Sequence, residues 1–519
     1  MKPLKDTKIH NPIIQGNYPD ASIIRVKDDF YLVHSSFELF PAIPIWHSRD
    51  LKHFRQIGNV ISKETQGLDL SNVLPSQGVQ AATIRYHQGT FYVTSTRIKN
   101  AWPSMNYHFI VYAKDPKGPW SKVHYIEQAE GIDSSLFFDD NGTCYFLANR
   151  QIPSQEDGNL TEIWISEFDV NTFQLKGNKH VLWRGTGGVF PEGPRLFKKD
   201  ENYYLVIAEG GTLHHHAVTV AIASQVFGPY QGSKRNPILT HRHLHRTYPI
   251  QNVGHADLVE LQDGSWIGVC LGSRPRGGFY DGHNTQWSFG GYYRNLGRET
   301  FIFPVSWPHD NEGPIFSGET GKIETQYALN TPNTYPQKDL PIDFSKASIE
   351  TKWVTLLREN KDHIQVKHYQ VSLTLEQSLE HSMMAIRQAS WQFNLSCHVD
   401  VSNLKNEDIF YMVAYLTKNS YIGLKYHQHN VYFVSCYQGN EVNLHTMPFD
   451  QSGNLTLTGD DQSYSFGCDD NVFPIDGKKI SPDLNDAHTG VLLGFTGTSK
   501  SKSIVKIKEF HYKNIKKGK

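Results

Sequence analysis

Apolar and polar residues alternate along most of the first 320 residues of the chain, and turn signals interrupt this alternation repeatedly. In the segment 17–36, Phe30 and Leu32 alternate with Tyr31 and Val33 behind a KDD turn. A period of two residues is typical of half-buried β-strands. Helical periodicity is almost absent, so the pattern predicts an all-β fold.

Five segments repeat one order of features: a small or acidic residue, an apolar strand, a polar turn and an aromatic-rich strand. They are PDASIIRVKDDFYLVHSS, QAATIRYHQGTFYVTSTR, IDSSLFFDDNGTCYFLANR, PEGPRLFKKDENYYLVIAEGG and GHADLVELQDGSWIGVCLGSR. Their starts lie roughly 50–65 residues apart, a spacing typical of propeller repeats. Each continues into a second strand pair, so residues 1–325 are predicted to form a five-bladed β-propeller. A plain sandwich is the alternative, but its turns would not group into five long repeats.

The rest of the chain is also predicted to be β structure. Residues 326–340 are polar and contain proline, which indicates a linker. Residues 341–519 alternate again and predict a β-sandwich.

The start of the innermost strand of each blade faces the mouth of a propeller's central channel. The equivalent positions here are Asp20, Ala81 or Ala82, Asp133, Glu192 and His255–Ala256. Three blades are therefore expected to deliver a carboxylate to one funnel.

Hydrolysis of a glycosidic bond uses one ionised carboxylate and one protonated carboxyl group. Asp20 and Glu192 are the candidates for base and acid, and Asp133 is the candidate that raises the pKa of the acid. Each acid alone could be a turn residue, but three in equivalent positions favour a catalytic site. A hard-cation cage would require more oxygen ligands close together in sequence.

Composition narrows the classes of partner. The 519 residues carry a formal net charge of −1, which gives no reason to expect nucleic acid or a membrane surface as a partner. The five cysteines are scattered and interpreted as reduced thiols. The N-terminus lacks the apolar core of a signal peptide, and no apolar run reaches about 18 residues, so a cytoplasmic protein is expected.

Several long motifs resemble glycoside hydrolase family 43, especially its β-xylosidase/α-L-arabinofuranosidase members with a C-terminal sandwich. They include NPIIQGNYPDASI, GIDSSLFFDDNG, GVFPEGPRLF, YPIQNVGHADLVE and NLGRETFIFPVSW. The resemblance implies a five-bladed propeller, an inverting mechanism, and a concanavalin-like C-terminal sandwich that caps the active site.

The resemblance also implies residue roles. Asp20 of YPDAS matches the general base, Asp133 of GIDSS the pKa modulator, and Glu192 of PEGP the general acid. Arg298 of LGRETF matches a residue that reaches sugar hydroxyls, although an ion pair with Glu299 is the alternative.

Three further positions match the family's channel and pocket. His255 of VGHAD matches a channel histidine that holds Ca²⁺ through water or directly in many relatives, while a backbone-bonded core histidine is the alternative. Phe37 and Thr212 match pocket-wall positions. No cofactor is expected to be required, although a structural Ca²⁺ in the channel is an open alternative.

The implied activity is removal of terminal β-D-xylose from xylo-oligosaccharides. Terminal α-L-arabinofuranose on arabinose-substituted oligosaccharides, or action on both sugars, is the first alternative, and a non-catalytic sugar-binding propeller is the second. The oligomeric state is not determined by the sequence, and a homo-oligomer is an open alternative.

Two departures from the family bear on sugar preference. In blade 2, residues 79–81 replace a common aromatic with Val-Gln-Ala. Residues 279–291 form an insertion expected near the funnel mouth, where Trp287 and Phe289 are candidates to replace the missing ring. A loose surface loop is the alternative for this insertion.

Overall fold

A computed structural model describes residues 8–99, 106–152, 160–280, 291–310, 312–329, 339–359 and 363–515. The all-β prediction is confirmed, since these segments hold one short α-helix, Lys346–Thr351. The 3₁₀ turns are Glu64–Gln66, Gly318–Thr320, Gly477–Ile480 and Pro482–Asn485. None of the helices in these segments has the length and apolarity needed to cross a lipid bilayer.

Antiparallel sheets form the five predicted blades, and their strands pair in chain order except that Leu239–Thr240 of blade 4 pairs with Ala217–Ala223. The strands of blade 1 are Ser22–Val26, Asp29–Val33, Ala42–Ser48 and Arg55–Ile61. The strands of blade 2 are Gly78–His87, Thr90–Ile98, Asn106–Ala113 and His124–Tyr125. The strands of blade 3 are Ile132–Phe138, Cys144–Gln151, Thr161–Asp169 and Gln174–Trp183. The strands of blade 4 are Glu192–Lys199, Asn202–Glu209, Ala217–Ala223, Gln231–Gly232 and Leu239–Thr240. The strands of blade 5 are Gln251–Glu260, Trp266–Ser273, Glu299–Ser306 and Ile315–Phe316.

Each inner strand has, close to its start, a residue in the left-handed backbone region. The five residues and their φ angles are Asp20 at 56°, Ala81 at 47°, Asp133 at 61°, Gly193 at 61° and His255 at 53°. In blades 2 to 5 the strand register shifts at this point, as expected for β-bulges. Such bulges redirect side chains, and here they lie at the mouth of the channel.

The two ends of the propeller meet beside blade 5. Strand Lys8–His10 pairs with Gln326–Ala328, so the segment predicted as a linker begins with a strand. At the base of the insertion, Phe279–Tyr280 pairs with Gly291–Tyr292. Trp287 and Phe289 lie outside the described residues.

The C-terminal part is a sandwich of two antiparallel sheets. The eight-stranded sheet has the order Asn440–Pro448, Asn430–Tyr437, Ser420–His427, Ile409–Thr417, Leu492–Thr498, Met384–Arg387, Trp353–Leu356 and Leu39–Phe40. The seven-stranded sheet has the order Ile364–Lys367, Gln370–Thr374, Ile504–Asn514, Phe393–Asp400, Ser452–Asp460, Ser463–Cys468 and Asn471–Asp476. The edge strand Leu39–Phe40 comes from the propeller, so one sheet joins the two parts of the molecule.

Apolar residues of both sandwich sheets pack into one core that includes Phe393, Tyr464 and Phe495. Smaller apolar clusters lie between neighbouring blades, as expected when each blade is apolar on both faces. All five cysteines are buried and unpaired.

Candidate active site

The inner strands converge on a cavity of about 700 Å³ at the channel mouth. This size lies within the usual range for small-molecule sites. The predicted site residues on its wall are Asp20, Asp133, Glu192, Thr212, His255 and Arg298. Residues that are far apart in the sequence therefore face one space.

Asp20 is held from two sides at the cavity wall. Ser35 Oγ donates to Asp20 Oδ2 at 2.5 Å, and Arg298 Nη1 lies 3.4 Å from Asp20 Oδ1. Ser35 is itself fixed because its Oγ accepts from Ala81 N at 2.7 Å. Burial alone would raise the pKa of Asp20, but Arg298, His255 and the Ser35 hydrogen bond outweigh it and lower this pKa below its ordinary value. Asp20 is therefore ionised at neutral pH.

Glu192 has the opposite electrostatic environment. Burial raises the pKa of Glu192 well above its ordinary value, and the negative charges of Asp133 and Asp20 raise it further. Arg298 acts in the opposite direction without reversing the shift. Glu192 is therefore the carboxyl group of the cavity that retains its proton to higher pH.

Glycine is required directly after Glu192. Gly193 has a φ of 61°, and a β-carbon there would lie 2.7 Å from His255 Nε2. The chain thus brings two inner strands together at this point, and it is Gly193, rather than Glu192, that matches the left-handed residue of the other blades.

Asp133 and His255 are neighbours across the channel, with 3.5 Å between Asp133 Oδ2 and His255 Nε2. Asp133 N donates to Thr96 Oγ1 at 3.0 Å. Thr96 Oγ1 in turn lies 3.1 Å from Nδ1 of His108, whose pKa burial lowers to about 4. This neutral, buried relay fixes the backbone that carries Asp133.

Arg298 links the carboxylates to two other parts of the wall. Its Nη1 donates to Thr212 Oγ1 at 2.9 Å, and its Nη2 donates to the carbonyl of His488 at 3.3 Å. The alternative pairing with Glu299 does not occur, because Glu299 accepts from Arg274 Nε at 2.6 Å and Nη2 at 2.8 Å. Arg298 is instead the guanidinium that contacts Asp20.

Phe37 does not lie on the wall of the cavity, where the resemblance had placed it. It is 1% exposed, and its ring packs 5.6 Å from the guanidinium carbon of Arg298, behind the cavity. Its backbone pairs with Val79, since Phe37 N donates to Val79 O at 2.9 Å. Among the residues that the structure describes, the phenyl ring on the cavity wall belongs to Phe190, which was not among the predicted site residues. Its location in GVFPEGP, two residues before Glu192, is a signal that could have found it.

A loop of the sandwich completes the cavity. Asp486 and His488 line it, and His488 N donates to Ser76 Oγ at 3.0 Å. Burial and the charges of Arg298 and Arg294 lower the pKa of His488 to about 4, so its ring is neutral. The hydrogen bond between His488 and Ser76 crosses a sequence separation of 412 residues, which local patterns do not reveal.

The donor set around His255 does not fit a protein-held Ca²⁺. Calcium takes six to eight oxygen ligands. Across the described segments, no group of three or more His, Cys, Asp or Glu side chains is arranged to hold a metal. His255 Nδ1 and Nε2 are buried without a hydrogen-bond partner in these segments, but imidazole nitrogen is not a calcium-type ligand. The calcium suggested by the resemblance stays a prediction.

Sequence comparison accounts for both parts of the molecule. The pattern of glycosyl hydrolases family 43 matches residues 9–312, and that of the β-xylosidase C-terminal concanavalin A-like domain matches residues 335–513. The chain belongs to glycosyl hydrolases family 43. The enzyme is therefore a glycoside hydrolase with a concanavalin-like second domain, as its motifs suggested.

Curated relatives of this hydrolase differ in their named substrates. A xylosidase/arabinosidase from Butyrivibrio fibrisolvens is 38% identical over 432 residues, covering 80% of this chain and 79% of that protein. A non-reducing end α-L-arabinofuranosidase from Bacteroides ovatus is 34% identical over 430 residues, covering 80% and 76%. Among solved structures, a xylan β-1,4-xylosidase from Bacillus halodurans matches with a TM-score of 0.88 and 28% identity, covering 98% of this chain and 100% of that one.

Proposed function

We propose that this family 43 enzyme is an inverting, exo-acting β-xylosidase that releases terminal β-D-xylose from xylo-oligosaccharides. The observation that carries the proposal is that one cavity wall holds two buried carboxyl groups, Asp20 and Glu192, whose surroundings shift their pKa values in opposite directions. The pKa of Asp20 is lowered, whereas the pKa of Glu192 is raised. Inversion uses such a pair, one carboxylate and one carboxylic acid.

In this mechanism a water molecule attacks the anomeric carbon while Asp20 removes one of its protons. The bond from that carbon to the leaving oxygen breaks, and this oxygen takes the proton of Glu192. Asp133 sustains the protonated state of Glu192 by charge repulsion. Arg298 joins Asp20 and Thr212 and is assigned to orienting sugar hydroxyls.

The sandwich loop supports exo action, because Asp486 and His488 form part of the cavity wall beside residues of the blades. A cavity that both parts of the molecule wall in this way accepts the end of a chain more readily than its middle. No step of the proposed reaction uses a side chain of the sandwich.

Terminal α-L-arabinofuranose is the second candidate substrate, and the named activity of the Bacteroides ovatus relative favours it. The test is hydrolysis of 4-nitrophenyl β-D-xyloside and 4-nitrophenyl α-L-arabinofuranoside, with Glu192→Gln as the control. Faster release from the xyloside, with α-xylose seen first by NMR, is expected. Release from the arabinofuranoside alone would reverse the assignment, and sugar binding without any release would indicate a non-catalytic propeller.

A further inference from the structure

A second cleft, of about 620 Å³, opens on blade 2 beside the catalytic cavity. We call it the tyrosine cleft and define it by Asp69, Arg97, Tyr107 and Tyr125. Asp69 comes from the loop between blades 1 and 2, and the other three residues come from blade 2. The segment 126–129, which leads into blade 3, forms the remaining wall.

Strand register places the tyrosine cleft on the same face of the propeller as the catalytic cavity. Gly78 of the inner strand pairs with Ile98 of the second strand, and Ile98 lines the catalytic cavity. Arg97, which precedes Ile98 on the second strand, pairs with Tyr107 on the third strand. Because neighbouring strands lie about 4.8 Å apart, Tyr107 is about 10 Å outward from the inner strand. The cavity and the cleft therefore follow one radial line.

The two tyrosines are exposed but held by their neighbours. Tyr107 is 43% and Tyr125 is 38% exposed, and their rings meet edge to face with 5.9 Å between centroids. Tyr125 also packs edge to face on buried Phe109 at 6.4 Å. The guanidinium carbon of Arg97 lies 5.3 Å from the Tyr107 ring centroid. Rings fixed in this way lose little conformational entropy when a ligand stacks on them.

The cleft also contains planar polar groups that can form hydrogen bonds with the hydroxyl groups of a ligand. Arg97 is 5% exposed, and its Nη2 donates to Asp69 Oδ2 at 3.3 Å. Arg97 Nε is buried and has no hydrogen-bond partner in the part of the chain that the structure describes. One guanidinium and nearby carboxylates leave no strong excess of either charge, which favours a neutral, hydroxyl-rich ligand over an ion.

We propose that the tyrosine cleft is a distal subsite for the leaving group of a β-linked oligosaccharide. The terminal sugar would occupy the catalytic cavity, and a sugar further along the same chain would stack on Tyr107 and Tyr125. The identity of the sugar rests on the proposed function, whereas the cleft itself rests on the geometry of blade 2. The enzyme would then prefer longer chains over short aryl glycosides.

The test compares kcat/KM for xylopentaose with kcat/KM for 4-nitrophenyl β-D-xyloside. Tyr107→Ala and, separately, Tyr125→Ala are expected to lower this ratio about tenfold, because a stacking surface is lost only for the long substrate. Tyr107→Phe should retain most of the ratio, since the ring remains. The matched control is Tyr86→Ala, because Tyr86 is 39% exposed but lies near the opposite end of the same inner strand.

An unchanged ratio in both alanine variants, with unchanged melting temperature, would overturn the proposal. If the protein does not hydrolyse xylosides, the proposed function fails and the cleft is tested by binding alone. Calorimetric titration of xylopentaose into Glu192→Gln and into Glu192→Gln/Tyr107→Ala then decides. About tenfold weaker binding by the double variant supports the cleft, and equal binding refutes it.

Discussion

The mouth of the channel and its interior both bury carboxylates on the inner strands, but with opposite charge balance. In the interior, Asp257 is 0% exposed and accepts hydrogen bonds from Ser22 Oγ at 2.6 Å and Ile23 N at 3.2 Å. Arg85 Nη1 lies 3.0 Å from Asp257 Oδ2, and Arg195 Nε lies 3.7 Å from the same oxygen. This carboxylate is fully compensated and links blades 1, 2, 4 and 5.

At the mouth, three carboxyl groups face Arg298, so acids are in excess. His216 does not restore the balance, because burial lowers its pKa to about 3. The excess is relieved when Glu192 keeps its proton. Charge balance, rather than burial alone, therefore decides whether an inner-strand carboxylate stabilises the fold or holds a proton for chemistry.

The largest expected effect comes from substituting Asp20, the ionised carboxylate at the mouth of the channel. Asp20→Asn removes the proposed base while keeping the Ser35 hydrogen bond possible, and kcat/KM should fall about 10⁴-fold. Steady-state rates on 4-nitrophenyl β-D-xyloside measure this. Asp263→Asn, an exposed turn residue of blade 5, is the control and should leave the rate unchanged. A loss below tenfold in Asp20→Asn would contradict its role.

Glu192→Gln should reduce kcat/KM about 10³-fold on xylobiose, because the proton donor to the leaving oxygen is lost. The loss should be smaller on 4-nitrophenyl β-D-xyloside, whose leaving group needs less protonation. Parallel assays on the two substrates give the difference. Equal losses on both would argue against Glu192 as the acid.

A substitution in the interior cluster around Asp257 should change the stability of the fold instead of the rate. Asp257→Asn leaves Arg85 and Arg195 without their buried counter-charge, and the free energy of unfolding should fall by about 3 kcal/mol. Urea unfolding followed by tryptophan fluorescence measures the change, again with Asp263→Asn as the control. An unchanged midpoint would mean that this cluster does not stabilise the channel.

The pH profile tests how the excess charge at the mouth acts. The lowered pKa of Asp20 sets the acidic limb and the raised pKa of Glu192 the alkaline limb, since activity needs Asp20 ionised and Glu192 protonated. Asp133→Asn removes a negative charge that raises the pKa of Glu192, so the alkaline limb should move about one unit to lower pH. A limb that stays in place, measured from kcat/KM against pH, would assign the shift to burial and to the charge of Asp20.

The smallest expected effect comes from the sandwich. Asp483 accepts from Tyr292 N at 2.8 Å and pairs with Arg294, which holds the segment leading to Arg298. Asp483→Ala should lower kcat/KM about fivefold, through looser placement of Arg298. The comparison variant is Asp486→Ala, because Asp486 is exposed at the cavity rim, and it separates this effect from a change in the sandwich loop. A loss in Asp486→Ala alone would place the effect in the rim.

The fold and the acidic residues of the mouth were predictable because they repeat. The alternation of period two and the recurring turns identify five blades, and equivalent positions in the repeats identify Asp20, Asp133 and Glu192 from the sequence alone. The position of Glu192 in the repeat differs by one residue from that of Asp20 and Asp133, because the left-handed residue of blade 4 is Gly193. Bulges leave no local sequence signal when Asp, Ala, Gly and His all occupy the same position.

Long-range contacts were beyond local patterns. The contacts of His488 with Arg298 and Ser76 depend on how the sandwich docks, and no periodicity encodes that. Asp257 was likewise overlooked, although it stands two residues after His255, because its partners come from three other blades. Phe37 illustrates the same limit, since its burial behind Arg298 follows from pairing with Val79.

Strand Leu39–Phe40 has a consequence for engineering by domain exchange. It leaves the propeller's blade 1 to extend the eight-stranded sandwich sheet, with Thr355 opposite Phe40 and Leu356 opposite Leu39. Cutting the chain between the two halves would therefore leave them hydrogen-bonded to each other. A chimera that borrows a foreign C-terminal half must also import a compatible dipeptide at 39–40, far upstream of a splice within residues 326–340.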